Sequence, residues 1–396
     1  MHARLNTRFP RLACALALSL SLALTSCGGG VGTGGTGGES YAAGPITGFG
    51  SVIVGGVRFD DTAATVEDGE GGVRSRDELR LGMTVEVNGS AITTGSSGPV
   101  ASASRIRFES ELSGLVGLVD AAGGSFTMLG QRVTVDDSTV FDERLTGGLA
   151  GLGTGQPLEV FASFDAAGQR YRATRIEPAA LARGLRLRGQ VSQVDTVART
   201  LRVGGVSYSY AGATHVPAGL AAGQFVRLRM EFDLLPAPRW VVQSFGLAWQ
   251  PLADADGLKV EGLISSFTSS SSFSVNGRTV NATAASFPDG TAGLALGVRV
   301  EVEGAVRSGV LQAAKVSIES DDDVRDRGFE LEGAISTVDT LGRTITVRGV
   351  LVGTARPDLR LEGGVESDLR VGRRVEVRGV LAPDRRSVDA TRIRFR

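Results

Sequence analysis

The stretch Gly48-Phe-Gly-Ser-Val-Ile-Val-Gly-Gly-Val-Arg-Phe59 decides the fold. Two short runs of β-branched and aromatic residues flank Gly55-Gly56, and paired glycines tolerate the positive φ that a tight hairpin turn demands. The opening strand signal returns as Gly114-Leu-Val-Gly-Leu-Val-Asp120, Gly189-Gln-Val-Ser-Gln-Val-Asp195, Gly262-Leu-Ile-Ser-Ser-Phe267 and Gly333-Ala-Ile-Ser-Thr-Val-Asp339. The hairpin turn returns as Val203-Gly-Gly-Val206, Val275-Asn-Gly-Arg278 and Val347-Arg-Gly-Val350, with Leu129-Gly-Gln-Arg132 a weaker counterpart in the second copy.

Two more signals follow in fixed order. A turn glycine leads into an alternating strand at Gly82, Gly155, Gly223, Gly297 and Gly372. In Leu81-Gly-Met-Thr-Val-Glu-Val87 and Leu296-Gly-Val-Arg-Val-Glu-Val302 the valines are expected to face inward, with Glu86 and Glu301 facing water. A closing strand reads Ala103-Ser-Arg-Ile-Arg-Phe108, Ala173-Thr-Arg-Ile176, Ala314-Lys-Val-Ser-Ile318 and Ala390-Thr-Arg-Ile-Arg-Phe395, and the third copy substitutes Trp240-Val-Val-Gln-Ser-Phe245. A pitch of about 70 residues exceeds that of solenoid repeats, so each copy is expected to be a small domain. Five strands in that length, with a helical turn or loop between strands three and four, suit an OB-like barrel.

The chain is therefore expected to be all-β, a string of about five small five-stranded OB-like barrels at residues 44–110, 111–180, 184–250, 258–320 and 328–396. Domains this small are marginal alone, and the short connections (Pro178–Arg183, Pro251–Gly257 and a charged one from Ser320) imply that neighbours lean on one another.

The N-terminal residues read as an address. Arg4, Arg8 and Arg11 precede an uncharged apolar run from Leu12 to Leu24, too short for a membrane span and suited to an export signal over residues 1–26. Leu24-Thr-Ser-Cys27 looks like a lipobox, which makes Cys27 the expected lipidation site and anchors the chain to a membrane. Gly28 after the cysteine favours sorting to the outer membrane, facing periplasm or cell surface. Residues 27–43 are expected to be the acylated cysteine and a flexible glycine-rich linker.

The run Gly44-Pro-Ile-Thr-Gly-Phe-Gly-Ser-Val-Ile-Val-Gly-Gly-Val-Arg-Phe59, with Leu81-Gly-Met-Thr-Val-Glu-Val87, resembles the bacterial family called domain of unknown function 5666. The resemblance implies an exported lipoprotein with tandem OB-like barrels. It implies no catalytic residues, because the family supplies none.

With 42 basic and 43 acidic side chains the chain has no general pull toward nucleic acid or anionic lipid, and 6% aromatic residues is few for stacking bases or sugars. Cys14 and Cys27 are the only cysteines, and neither is left to form a disulfide once the first is cleaved and the second acylated. No catalytic, cofactor or metal constellation is legible. His215 is the only histidine after the leader, and a zinc or iron site needs clusters. Asp254-Ala-Asp-Gly257 has a calcium-loop flavour, but the EF-hand template would place Lys259 and Ser265 where it needs Gly and Glu. Asp321-Asp-Asp-Val-Arg-Asp326 reads as solvated linker, Ser269–Ser272 as a hairpin loop, and Asp60-Asp61 and Asp136-Asp137 as turn initiators after third strands. Arg370, Arg373, Arg374, Arg378, Arg385, Arg386, Arg392, Arg394 and Arg396 crowd the last copy, either as an anionic-partner patch or as ordinary outward strand positions. The expected function is a non-enzymatic cell-envelope lipoprotein, a binding or scaffold module whose ligand the sequence does not name, an envelope glycan or protein being the candidates. The alternatives are a glycan-active enzyme using paired carboxylates and a purely structural spacer.

Overall fold

Five successive stretches of the chain close on themselves by the same route. The fourth shows it plainly: strands Ala255–Ser269, Ser272–Val275, Arg278–Asn281, Arg299–Arg307 and Val310–Ile318. Strand one pairs with two and two with three. Strand three then runs parallel to five (Val280 opposite Leu311), five pairs with four, and four returns to one (Gly262 opposite Val300). This 1-2-3-5-4-1 circuit is the order of an OB barrel, and the other four copies repeat it. The computed structural model describes residues 38–95, 98–181, 184–233, 239–246, 248 and 250–396. Cys27, the export signal and most of the glycine linker lie outside the described residues.

The repeated glycines close each circuit. Gly82, Gly155, Gly223, Gly297 and Gly372 all sit at φ between 80° and 89°, a region costly for any side chain. Each donates its N–H to a first-strand carbonyl: Ile46 at 2.9 Å, Val116 at 2.7 Å, and Val191, Ile264 and Ile335 at 2.8 Å. The residue after each glycine accepts in return from the same first-strand residue, at 2.8 to 2.9 Å. A bulge near the middle of every first strand bends it enough to serve both neighbours in so small a barrel.

All five hairpins between strands two and three turn through two positive-φ residues, the second always glycine. In the second copy these are Leu129 and Gly130, so the turn lies one residue earlier than the sequence match placed it. Leu129 tolerates φ 53° there because its side chain is buried in the core shared by barrels two and three.

Two expectations about connections are corrected, while the five tandem barrels stand and lean on one another through shared strand edges. Ser40–Ala43 pair in parallel with Gly257–Val260 of barrel four, and Gly48 and Phe49 in parallel with Glu330 and Leu331 of barrel five, while Leu112 and Ser113 of barrel two pair antiparallel with Leu187 and Arg186 of barrel three. The cores merge accordingly, barrels two and three sharing one and barrels one and five another. Residues 40–43, expected to be linker, belong to the strand Ser40–Phe49 because their backbone finds partners on both sides. The charged connection after Ser320 is a short helix, Asp321–Arg327, with Ser320 as its cap.

Candidate functional site

The residues singled out for chemistry do not come together. His215 stands exposed in a loop, its Nδ1 3.2 Å from the Thr214 hydroxyl. Asp254 accepts from the Ser308 N–H at 2.7 Å and Asp256 pairs with Arg307 at 2.5 Å, so these carboxylates fasten a hairpin. Asp321 reaches Arg172 of barrel two at 2.5 Å. Asp60 and Asp136 cap their turns through the Thr62 and Ser138 N–H groups, and Ser269 and Ser271 face each other across a hairpin end. In the last copy, Arg392 lies 3.1 Å from the buried Glu376, which Arg396 also contacts, and Arg394 lies 2.9 Å from Glu362, so the arginines meet carboxylates on the sheet itself. Among the described residues no group of three or more His, Cys, Asp or Glu could hold a metal, and no helix is long and apolar enough to cross a membrane.

The charged residues that do converge were invisible to motif reading. Glu86 alternates with two core valines as expected, yet it faces neighbouring barrels and not water. It accepts from the Tyr41 hydroxyl at 2.8 Å and from Arg278 of barrel four at 2.6 Å. Glu109 and Glu111, at the junction of barrels one and two, both contact Arg188 of barrel three, and Glu109 also contacts Arg227. Arg227 donates to the Gly69 carbonyl at 2.8 Å, and Glu111 accepts from the Ala162 N–H at 2.9 Å. Glu261 of barrel four takes Arg299 at 3.4 Å and Arg327 of the short helix at 2.7 Å. These groups surround a central cavity of about 70 Å³.

Their electrostatics differ. Burial pushes the Glu86 carboxyl up, but Arg278 and the Tyr41 hydroxyl overcome it and hold it below the ordinary range. At Glu109 burial wins over Arg188 and Arg227, and its pKa is raised. Burial also disfavours the charge on Arg188, but Glu111 and Glu109 more than offset this and keep it firmly protonated. Burial drives the Tyr41 hydroxyl well above its usual value. The arrangement can hold the barrels in fixed register. The signal that could have found it is the charge alternation of Leu185-Arg-Leu-Arg188, where a strand with one apolar face keeps arginines on the other.

A second, larger cavity of about 510 Å³ lies between barrels one, two, four and five and the short helix. Ile46, Phe329, Val380 and Leu381 line it, together with Thr174 and Arg299.

Family comparison matches residues 43–97, 114–177, 261–317 and 332–394 to the family described as Domain of unknown function (DUF5666), more than half of the chain. The chain belongs to this family. The DUF5666 ranges correspond to barrels one, two, four and five, and the third barrel, outside those ranges, has the same strand order. Among solved structures, the chain is similar to "drosophila Unr CSD456" at 11% identity, covering 54% of this chain and 98% of that one, with a TM-score of 0.15. It is also similar to a multidomain protein with nucleic acid binding domains from Streptococcus pneumoniae, at 11% identity, 52% and 72% coverage and a TM-score of 0.13. TM-scores this low carry no inference about partners. No curated protein matches.

Proposed function

We propose that this chain is a non-catalytic binding or scaffold module of the cell envelope, held at the outer membrane by acyl chains on Cys27. One observation carries the reading: the convergent acidic groups Glu86, Glu109, Glu111 and Glu261 each meet at least one guanidinium. A carboxylate-dependent glycosidase needs one carboxyl free to give a proton and a second free to act at the sugar carbon. The central cavity of about 70 Å³ also falls below the roughly 300 Å³ at which ligand pockets begin. Nucleic acid is not among the expected partners, since a net charge of −1 gives no electrostatic footprint for it.

The alternative, a glycan-active enzyme, has one observation in its favour, the raised pKa of Glu109 with Glu111 beside it. Both readings meet the same experiment. The chain is titrated against envelope glycans and secreted proteins while product formation is followed. Binding without turnover is the expected outcome, and released sugar would overturn it. Palmitate labelling tests the tether separately: Cys27→Ala is expected to lose the label, and persistent labelling would refute the anchor.

A further inference from the structure

We infer that the outer face of barrel five binds an acidic polysaccharide through a row of arginines. The inference rests on the binding reading above and deepens it by naming a surface and a ligand class.

Strands Arg360–Glu362, Val388–Phe395 and Arg374–Leu381 lie side by side in that barrel. Their register puts Arg360 opposite Arg392, and Arg392 opposite Arg378. The adjacent row, Leu361, Ile393 and Val377, packs in the core, so the arginine row faces out. Like charges directly opposite one another destabilise a sheet. The fold does not impose them. The same three positions hold Thr65, Arg105 and Asn88 in barrel one, and Val140, Arg175 and Phe161 in barrel two. They hold Thr214, Ser244 and Arg229 in barrel three, and Ser286, Lys315 and Glu303 in barrel four. Barrel five alone sets three guanidiniums abreast, a local cost of the kind that functional surfaces carry.

Carboxylates on the sheet soften this repulsion without balancing it. The three strands carry five arginines against three acidic residues, and Arg396 follows directly. Glu376 is shared by Arg378, Arg392, Arg394 and Arg396, and Glu330 divides between Arg378 and Arg58. Arg360 and Arg378 stay exposed. Neighbouring strands lie about 4.8 Å apart, so the row spreads its charges over about 10 Å. That spread suits a chain of repeated negative charges better than one small ion, and each guanidinium can take two oxygens of an acidic group. Stacking adds nothing here. The barrel's two aromatic residues are Phe329, half-buried, and Phe395, buried with Arg373 5.6 Å from its ring centre. A nucleic-acid strand is held by stacking as well as charge, whereas an acidic sugar chain can be held by its charges alone.

The test is calorimetric titration of the full chain carrying Cys27→Ala, with polygalacturonate, dextran and single-stranded oligothymidylate as probes. Polygalacturonate is expected to bind and to weaken roughly tenfold between about 50 and 200 mM salt. Dextran, which has no charge, is expected not to bind, and oligothymidylate to bind about tenfold more weakly for want of stacking platforms. Arg360→Thr with Arg378→Asn gives barrel five the row of barrel one. This variant is expected to lose about tenfold in polygalacturonate affinity, while its melting temperature holds or rises because the opposed charges are gone. Arg132→Gln with Arg202→Gln removes two exposed guanidiniums from barrels two and three, and is expected to bind within about twofold of the parent. No polygalacturonate binding, an equal loss in both double variants, or oligothymidylate binding as tight as polygalacturonate would each overturn the proposal. Polygalacturonate binding that the row variant leaves intact would refute this surface alone, whereas released sugar would refute the non-catalytic reading alone.

Discussion

At the scale of single residues, the same sequence position does different work depending on what lies beyond the barrel. Gly155 and Gly82 share the clamp geometry, but a Cβ on Gly155 would meet open space, while one on Gly82 would lie 2.6 Å from the Thr174 carbonyl of barrel two. Gly155→Ala is expected to cost about 1–2 kcal/mol from backbone strain alone. Gly82→Ala is expected to cost more, and urea denaturation of the two variants compares them; equal costs would contradict the docking of barrel two on this turn. Glu86→Gln removes the charge facing buried Arg278 and is expected to cost about 3 kcal/mol at neutral pH. Acid acts on the same group. The carboxyl of Glu86 is held low against the upward push of burial by Arg278 and Tyr41, and that of Asp142 by Arg144 and Arg175. A folded pKa below the unfolded one adds stability that is full above roughly pH 5 and drains as pH falls through the folded value. The melting temperature is therefore expected to drop below about pH 4. The acid limb should be shallower in Glu86→Gln, and an unchanged limb would place the acid sensitivity elsewhere.

At the scale of elements, the opening strands are where one barrel becomes part of the next. Gly48 brings its backbone so close to barrel five that a Cβ would lie 2.4 Å from the Glu330 carbonyl oxygen. Gly48→Val is expected to prise this edge apart, raising hydrogen exchange across Phe329–Leu331 by roughly tenfold or more while barrel four is unaffected. Unaltered exchange at those residues would mean the parallel pairing contributes nothing. Elements are also the scale at which the sequence was most readable. Two-residue alternation put Val85, Val87, Val300 and Val302 in cores, and the turn glycines fell where the backbone needs positive φ. Alternation reports only the inside and outside of a barrel. It could not say that the outside of Glu86 is the inside of the assembly, nor that Ser40–Ala43, which look like linker, lie between two barrels. Those facts depend on contacts between residues some 200 positions apart, such as Glu86 and Arg278, which no local pattern encodes. The site was less legible than the fold for the same reason. Glu111 and Arg188 are unremarkable in sequence and pair only because barrels two and three share an edge.

At the scale of the whole molecule, residues 37–396 form one compact unit, with cores that cross barrel boundaries and ion pairs that bridge them. A barrel of this size is marginal by itself, and its neighbours supply the missing burial. One cooperative unfolding transition is expected for that unit, and five separable ones would contradict the merged cores. The most direct measurement is small-angle scattering of residues 37–396. A single body of that length predicts a radius of gyration of roughly 21 Å, whereas five such barrels strung end to end would give about 40 Å and contradict the account.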